Sequence, residues 1–137
     1  MLVIIPCGNK KALEPKPAIN LYEGSYFKAC ARYALSIAPL ENIRILSAKH
    51  GLLKPDQIIE PYNLRLGQEN AVSVEKIREQ AQEQGILDEQ EVIIAAGSAY
   101  ARAALAVWPH GRWILDKVGG MGYQIQFLNR YKGVKNV

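Results

Sequence analysis

The sequence predicts an α/β domain built on a short, mostly parallel, four-stranded sheet with helices on both faces. Three observations carry that expectation. Residues 2–5, 43–46 and 91–96 are short, largely apolar runs without polar alternation, as expected of strands covered on both faces. Stretches with helical periodicity separate them, and alternating strands and helices favour a parallel sheet. No repeat, linker or low-complexity segment divides the 137 residues, so one domain is expected.

The first strand, Leu2-Val3-Ile4-Ile5, stops at Pro6-Cys7-Gly8-Asn9-Lys10-Lys11. Gly8 and Asn9 let the backbone turn, and the loop offers N–H and ammonium groups to a phosphate or carboxylate. It lacks the glycine spacing and Lys-Ser/Thr ending of a P-loop. Pro15 and Pro17 keep the next segment irregular. A helix over 25–37 follows, with Phe27, Cys30, Ala31, Ala34, Leu35 and Ala38 on its apolar stripe and Ser25 as a candidate cap. Pro39 closes it.

The second strand, 43–46, runs into Ser47-Ala48-Lys49-His50-Gly51, read as a loop through Pro55. Glu60-Pro61-Tyr62-Asn63 fixes a carboxylate, a phenol and an amide around one proline; it reads equally as a turn or a site. A helix over 73–84 has a narrow apolar side of Val74, Ile77 and Ala81 and stops at Gly85. The third strand, 91–96, enters Gly97-Ser98, where Ser98 is either an N-cap or a ligand contact at a helix start. An alanine-rich helix extends to about Val107, and residues 111–115 form the fourth strand. Gly119, Gly120 and Gly122 open a last helix over 123–131 without matching the dinucleotide fingerprint. Lys132 and Lys135 read as a solvated basic tail.

Hydrophobic residues make up 49% of the chain, enough for a core, and the formal charge of +4 mildly favours an anionic partner. The two cysteines and two histidines match no zinc pattern, so neither a metal nor a cofactor is expected. No run approaches a membrane span and the apolar start is too short for a secretory signal. A cytoplasmic protein with reduced thiols, and no membrane partner, is the expectation.

Right-handed crossovers between parallel strands bring the loops after the first three strands to one edge. That is the carboxyl edge, where open α/β sheets bind ligands. The edge then gathers Cys7, Gly8, Lys10 and Lys11; Ser47, Lys49 and His50; and Gly97 and Ser98.

Four separated stretches also resemble a known family: Pro6 to Lys11; Leu21-Tyr22 with Ser25-Tyr26-Phe27-Lys28; Leu46 to Leu53; and Glu60-Pro61-Tyr62. Together they are similar to small bacterial and phage proteins described in part as YaaA-like. That family's usual pattern begins Ser-Cys-Gly-Lys-Lys-Lys and contains Ser-Ala-Lys-His-Gly-Leu and Glu-Pro-Tyr-Asp. This chain departs at Pro6, Asn9 and Asn63, so no carboxylate role is carried to position 63. A more distant resemblance is to a domain of archaeosine synthase and archaeal tRNA-guanine transglycosylase relatives, related in fold to uracil-DNA glycosylases. It implies a three-layer α/β/α, uracil-DNA-glycosylase-like fold and a site for a nucleobase or nucleotide.

The first functional expectation is an enzyme acting on a nucleobase, nucleotide or modified nucleic acid, by N-glycosidic cleavage or base exchange. Such bonds need a proton donor or cation at the departing base and an oriented water or carboxylate at the sugar. His50 or Lys49 is the candidate for the base and Glu60 for the sugar. Tyr22 or Tyr62 would stack on a ring, and the loop from Cys7 to Lys11 would hold a phosphate. Cys7 is either a nucleophile beside Lys10 and Lys11 or a ligand-lining thiol. The alternative is a non-catalytic nucleic-acid-binding stress-response protein, which needs only cations and stacking aromatics on a single strand.

Overall fold

The computed structural model describes residues 1–131, so Lys132 and Lys135 lie outside the described residues. Among these residues seven strands and five α-helices follow in order, with a short 3-10 helix at Leu40–Asn42 ahead of the third strand. They are β1 (Leu2–Pro6), β2 (Lys16–Pro17), α1 (Ala18–Leu21), α2 (Ser25–Ile37), β3 (Ile43–Ser47) and β4 (Gly51–Leu53). Then come β5 (Ile58–Ile59), α3 (Val74–Glu83), β6 (Val92–Ile94), α4 (Ser98–Val107), β7 (Arg112–Trp113) and α5 (Met121–Tyr131).

The main sheet has five strands in the order β4-β3-β1-β6-β7. β1 pairs parallel with β3 and β6, and β6 parallel with β7. β4 runs antiparallel to β3, and β2 and β5 form a separate antiparallel pair. The sheet is therefore mixed, where four mostly parallel strands were expected. The extra strand comes from residues assigned to a loop. Ser47 Oγ accepts the Lys49 and His50 amides, and Gly51 takes φ +74°, so the chain reverses at once. Three residues are too few to show a strand pattern. The fourth expected strand shrinks to β7, since only Arg112 and Trp113 pair with β6.

The sheet is covered on both faces. Val3, Ile5, Ile43 and Ile45 pack with Phe27, Cys30 and Ala34 of α2 and Leu128 of α5. Leu2, Ile4, Leu46 and Ile94 pack with Ile77 and Ala81 of α3 and Ala101 and Ala104 of α4. All these side chains are buried, each large one contributing about 1.5–3 kcal/mol. The α2 stripe holds except at Leu35, which is 42% exposed. Arg44 sits inside β3 with its guanidinium satisfied by Gln84 Oε1 at 2.6 Å and the Glu41 and Ile43 carbonyls, each at 2.9 Å.

Helix starts follow local chemistry. Ser73 caps α3, its Oγ accepting the Lys76 amide at 3.1 Å. Ser25 and Ser98 do not cap: each is the first helical residue, behind Gly24 and Gly97, and neither cap position makes a side-chain cap bond. From β1 the chain winds outward through α2 to β3 and later returns to β6 on the other side. The order reverses at β1, and the ligand crevice of open α/β sheets lies at such a reversal.

Candidate functional site

The loops after β1 and β6 open a cleft of about 470 Å³ at that reversal. Cys7, Gly8 and Lys10 line it from the first loop and Gly97 from the second. Ser25, Tyr26 and Phe27 line it from α2, Tyr100 from α4, and Met121 and Gln124 from α5. Tyr26 donates to Gln124 Oε1 at 2.5 Å, and Gln124 Nε2 donates to the Gly119 carbonyl at 2.8 Å, which ties α5 to the cleft. Cys7 Sγ donates to Tyr100 Oη at 3.3 Å across the crevice. Small residues bring the walls together: a methyl on Gly8 would stand 3.5 Å from the Cβ atoms of Phe27 and Tyr22, and one on Gly97 3.6 Å from Tyr26 Oη.

A polar cluster lies on the β3 side. Tyr22 Oη and Tyr62 Oη are 2.6 Å apart, and Ser47 Oγ is 2.7 Å from Tyr62 Oη. The His50 ring meets Tyr62 edge-on at 5.4 Å between centroids. Lys11 Nζ stands 4.3 Å and Lys49 Nζ 6.0 Å from the centre of the Tyr62 ring. Cys7 joins cleft and cluster, within electrostatic reach of Lys11, Tyr22, Tyr62 and Tyr100.

Burial sets the protonation of this cluster. It pushes the phenols of Tyr22, Tyr26, Tyr62 and Tyr100 up, so all four stay protonated at neutral pH. Burial lowers the Lys11 ammonium, against the opposing pull of Cys7. Burial, and then the Lys49 charge, holds His50 below its ordinary 6.5, so its imidazole is neutral at pH 7. Among the described residues the ion pairs are those of the N-terminus with Glu89 and of Lys76 with Glu79. Lys10, Lys11 and Lys49 therefore have no carboxylate partner among the described residues. No group of three or more His, Cys, Asp or Glu gathers there as a metal site.

Most of the sequence-derived candidates converge. Cys7, Gly8, Lys10, Ser25 and Gly97 line the cleft, and Lys11, Tyr22, Ser47, Lys49, His50 and Tyr62 form the cluster beside it. Glu60, Asn63 and Ser98 are exposed, and their side chains make no hydrogen bond or ion pair among the described residues. Sequence reasoning missed Tyr26, Tyr100 and Gln124. A signal was present for the two tyrosines: each lies in the first turn of a helix entered through Gly-Ser. It also missed Gln80, whose side chain accepts from the Leu52 amide at 2.9 Å and donates to the His50 carbonyl at 2.8 Å.

A model of a family of unknown function, DUF6884, matches residues 2–130. The chain belongs to that family. The matched DUF6884 span runs from β1 almost to the end of α5 and contains the whole cleft and cluster. The chain is also 33% identical over 141 residues to the uncharacterized protein YfjM of Bacillus subtilis (strain 168). That match covers 94% of this chain and 93% of the relative. Among the described residues, no helix is long and apolar enough to cross a membrane.

Proposed function

We propose that this protein is an enzyme acting on a nucleotide or another nucleobase-bearing substrate, with the N-glycosidic bond as the point of reaction. The observation that carries this reading is an aromatic-walled cleft beside three lysines without carboxylate partners among the described residues. A planar base fits against Tyr26 and Tyr100, and an anionic group supplies the missing counter-charge. The cleft volume falls within the roughly 300–1,000 Å³ typical of small-molecule sites.

The chemistry follows from charge development. Breaking an N-glycosidic bond leaves negative charge on the base and positive charge on the sugar. A neutral His50 donates its N–H to the leaving base, and Lys49 adds positive charge next to it. Glu60, two positions before Tyr62 and exposed, is the carboxylate free to orient water or face the sugar. Cys7 lines the base pocket with its thiol held on Tyr100. The likeness to the uracil-DNA-glycosylase-like domain of archaeosine synthase supports the same substrate class.

The test is a thermal-shift panel of nucleobases, nucleosides, nucleotides and short single-stranded DNA and RNA at two salt concentrations. A ligand at one hundred times its dissociation constant stabilises by about 2.7 kcal/mol, a shift of several degrees. A salt-resistant shift with one base or nucleotide, followed by turnover of that compound that His50→Ala abolishes, is the expected result. Shifts confined to oligonucleotides and erased by salt would instead identify a non-catalytic nucleic-acid binder. Silence across the panel would end the nucleobase reading.

A further inference from the structure

The two faces of the sheet differ in charge. The sequence has no Asp or Glu between Glu23 and Glu41 and none after Asp116, so α2 and α5 carry no carboxylate. On the other face α3 interleaves Glu75, Glu79 and Glu83 with Lys76 and Arg78. The exposed positions of α2 are Ser25, Lys28, Arg32 and Leu35, spaced three, four and three residues apart. They form one stripe along the helix, and it begins at Ser25 in the cleft wall. On α5, Met121 lines the cleft and Arg130 is exposed near the other end. Tyr26 meets Gln124 near the start of both helices, and Arg32 Nη2 donates to Asn129 Oδ1 at 3.2 Å further along. α2 and α5 therefore run side by side, both leading away from the cleft. Lys28, Arg32 and Arg130 have no carboxylate partner among the described residues.

A large aromatic stands where this face meets the cleft. Tyr123 is 69% exposed and its neighbour Met121 61%. A methyl on Gly119 would stand 3.4 Å from Tyr123 Cδ2, so the ring leans on the Gly119 backbone. Exposed cations beside an exposed aromatic are the elements that bind single strands, cations tracking phosphates and the ring stacking on a base. Distance separates a polymer from a free nucleotide. At 1.5 Å per residue, Arg32 lies about 10 Å along α2 from Ser25, and Arg130 about 13 Å along α5 from Met121. These cations are too far from the cleft to serve the phosphate of a nucleotide whose base fills it, and they match phosphates further along a chain. An unpaired strand fits better than a duplex, whose base would first have to leave its stack to enter the cleft.

We propose that the base taken into the cleft belongs to a single strand of nucleic acid, whose flanking phosphates follow Lys28, Arg32 and Arg130 over α2 and α5 while a neighbouring base stacks on Tyr123. The inference rests on the nucleobase reading and names its substrate class, a polymer rather than a free nucleotide. The cleft supplies the salt-resistant part of binding and the helical face the salt-sensitive part.

Fluorescence anisotropy tests it, with labelled DNA and RNA single strands of about eight nucleotides containing all four bases, beside calorimetry with the nucleoside monophosphates. At low salt at least one of the two strands is expected to bind at least tenfold more tightly than any monophosphate, and the difference between DNA and RNA identifies the sugar. A triple variant, Lys28→Gln, Arg32→Gln and Arg130→Gln, is expected to lose tenfold or more in strand affinity. Its slope of log affinity against log salt is expected to shrink by about 2, at about 0.7 per phosphate contact. Tyr123→Ala is expected to weaken the strand at least about fivefold. All four positions are exposed, so the variants are expected to keep the native melting temperature and the monophosphate affinity. Lys76→Gln with Arg102→Gln, on the other face, is expected to leave strand binding unchanged. Strand affinity that survives the triple variant, or that falls equally with the Lys76 and Arg102 pair, would overturn the inference. So would tighter binding of the matching duplex, or heparin binding that responds to Tyr123→Ala as the strand does. If monophosphates bind and neither strand binds more tightly, this inference falls and the nucleobase reading stands; if neither strands nor monophosphates bind, both fall.

Discussion

Gly51→Ala probes how the fold holds the His50 turn. Gly51 sits at φ +74°, where an L side chain costs about 1–2 kcal/mol. A methyl there would also collide with the Gln80 amide, reaching 2.8 Å from Cδ and closer still to Oε1. Gln80 must swing away and lose its bonds to the Leu52 amide and the His50 carbonyl. Two such bonds are worth about 0.5–1.5 kcal/mol each, so the expected loss is about 3 kcal/mol. Urea denaturation measures it, and the melting temperature is expected to fall by roughly 10 °C. Gln80→Ala removes the object of the collision. The double variant is therefore expected to be more stable than the two single losses added together, by about 1–2 kcal/mol. A Gly51→Ala loss below about 1 kcal/mol, or strict additivity in the double variant, would refute this account of the turn.

Other perturbations test separate parts of the structure. The His50 ring protons are expected to titrate by NMR below 6.5, and Lys49→Ala is expected to move that midpoint upward by removing the adjacent charge. Because the folded value is depressed, the unfolded chain binds the proton first. Stability is then expected to fall as pH drops from 6.5 through the folded value, and a flat profile in a His50→Gln variant checks the assignment. Cys30 is fully buried with its thiol pushed up to about 12, so a thiol reagent at mild alkaline pH is expected to label only Cys7 until denaturant is added. Two rapid equivalents in the native protein would contradict that placement. Trp108 is fully buried and donates Nε1–H to the Ile86 carbonyl at 3.1 Å; Trp108→Phe is expected to cost about 2–3 kcal/mol in the same urea assay.

The strands at 2–5 and 43–46 were legible because burial on both faces leaves short, largely apolar runs, and the run at 91–96 marked β6, of which only Val92–Ile94 forms the strand. The convergence of Cys7, Ser47 and Gly97 followed from parallel pairing alone, which β1, β3 and β6 keep. β4 was not legible, since its formation depends on a serine side chain and a positive φ rather than on a pattern. Nor was the role of Gln80, a polar residue of α3 that satisfies the His50 and Leu52 backbone across 30 and 28 positions of sequence. Ser25 and Ser98 looked like caps, but a glycine one position earlier takes the extended geometry of the N-cap, and the serines fall inside the helices. Tyr62 was singled out beside Glu60, yet its partners Tyr22 and Ser47 come from distant segments that only the fold brings together.

The proposed function requires the strand-end cleft and the neighbouring phenol cluster to act as one site for a nucleotide-like anion. An amide-resolved NMR titration with nucleoside monophosphates, in moderate salt, tests it most directly. Shifts concentrated at residues 7–11, 47–50 and 97–100, persisting as salt rises, are the expected result. Shifts scattered over exposed lysines elsewhere and erased by salt, or none at all, would contradict it.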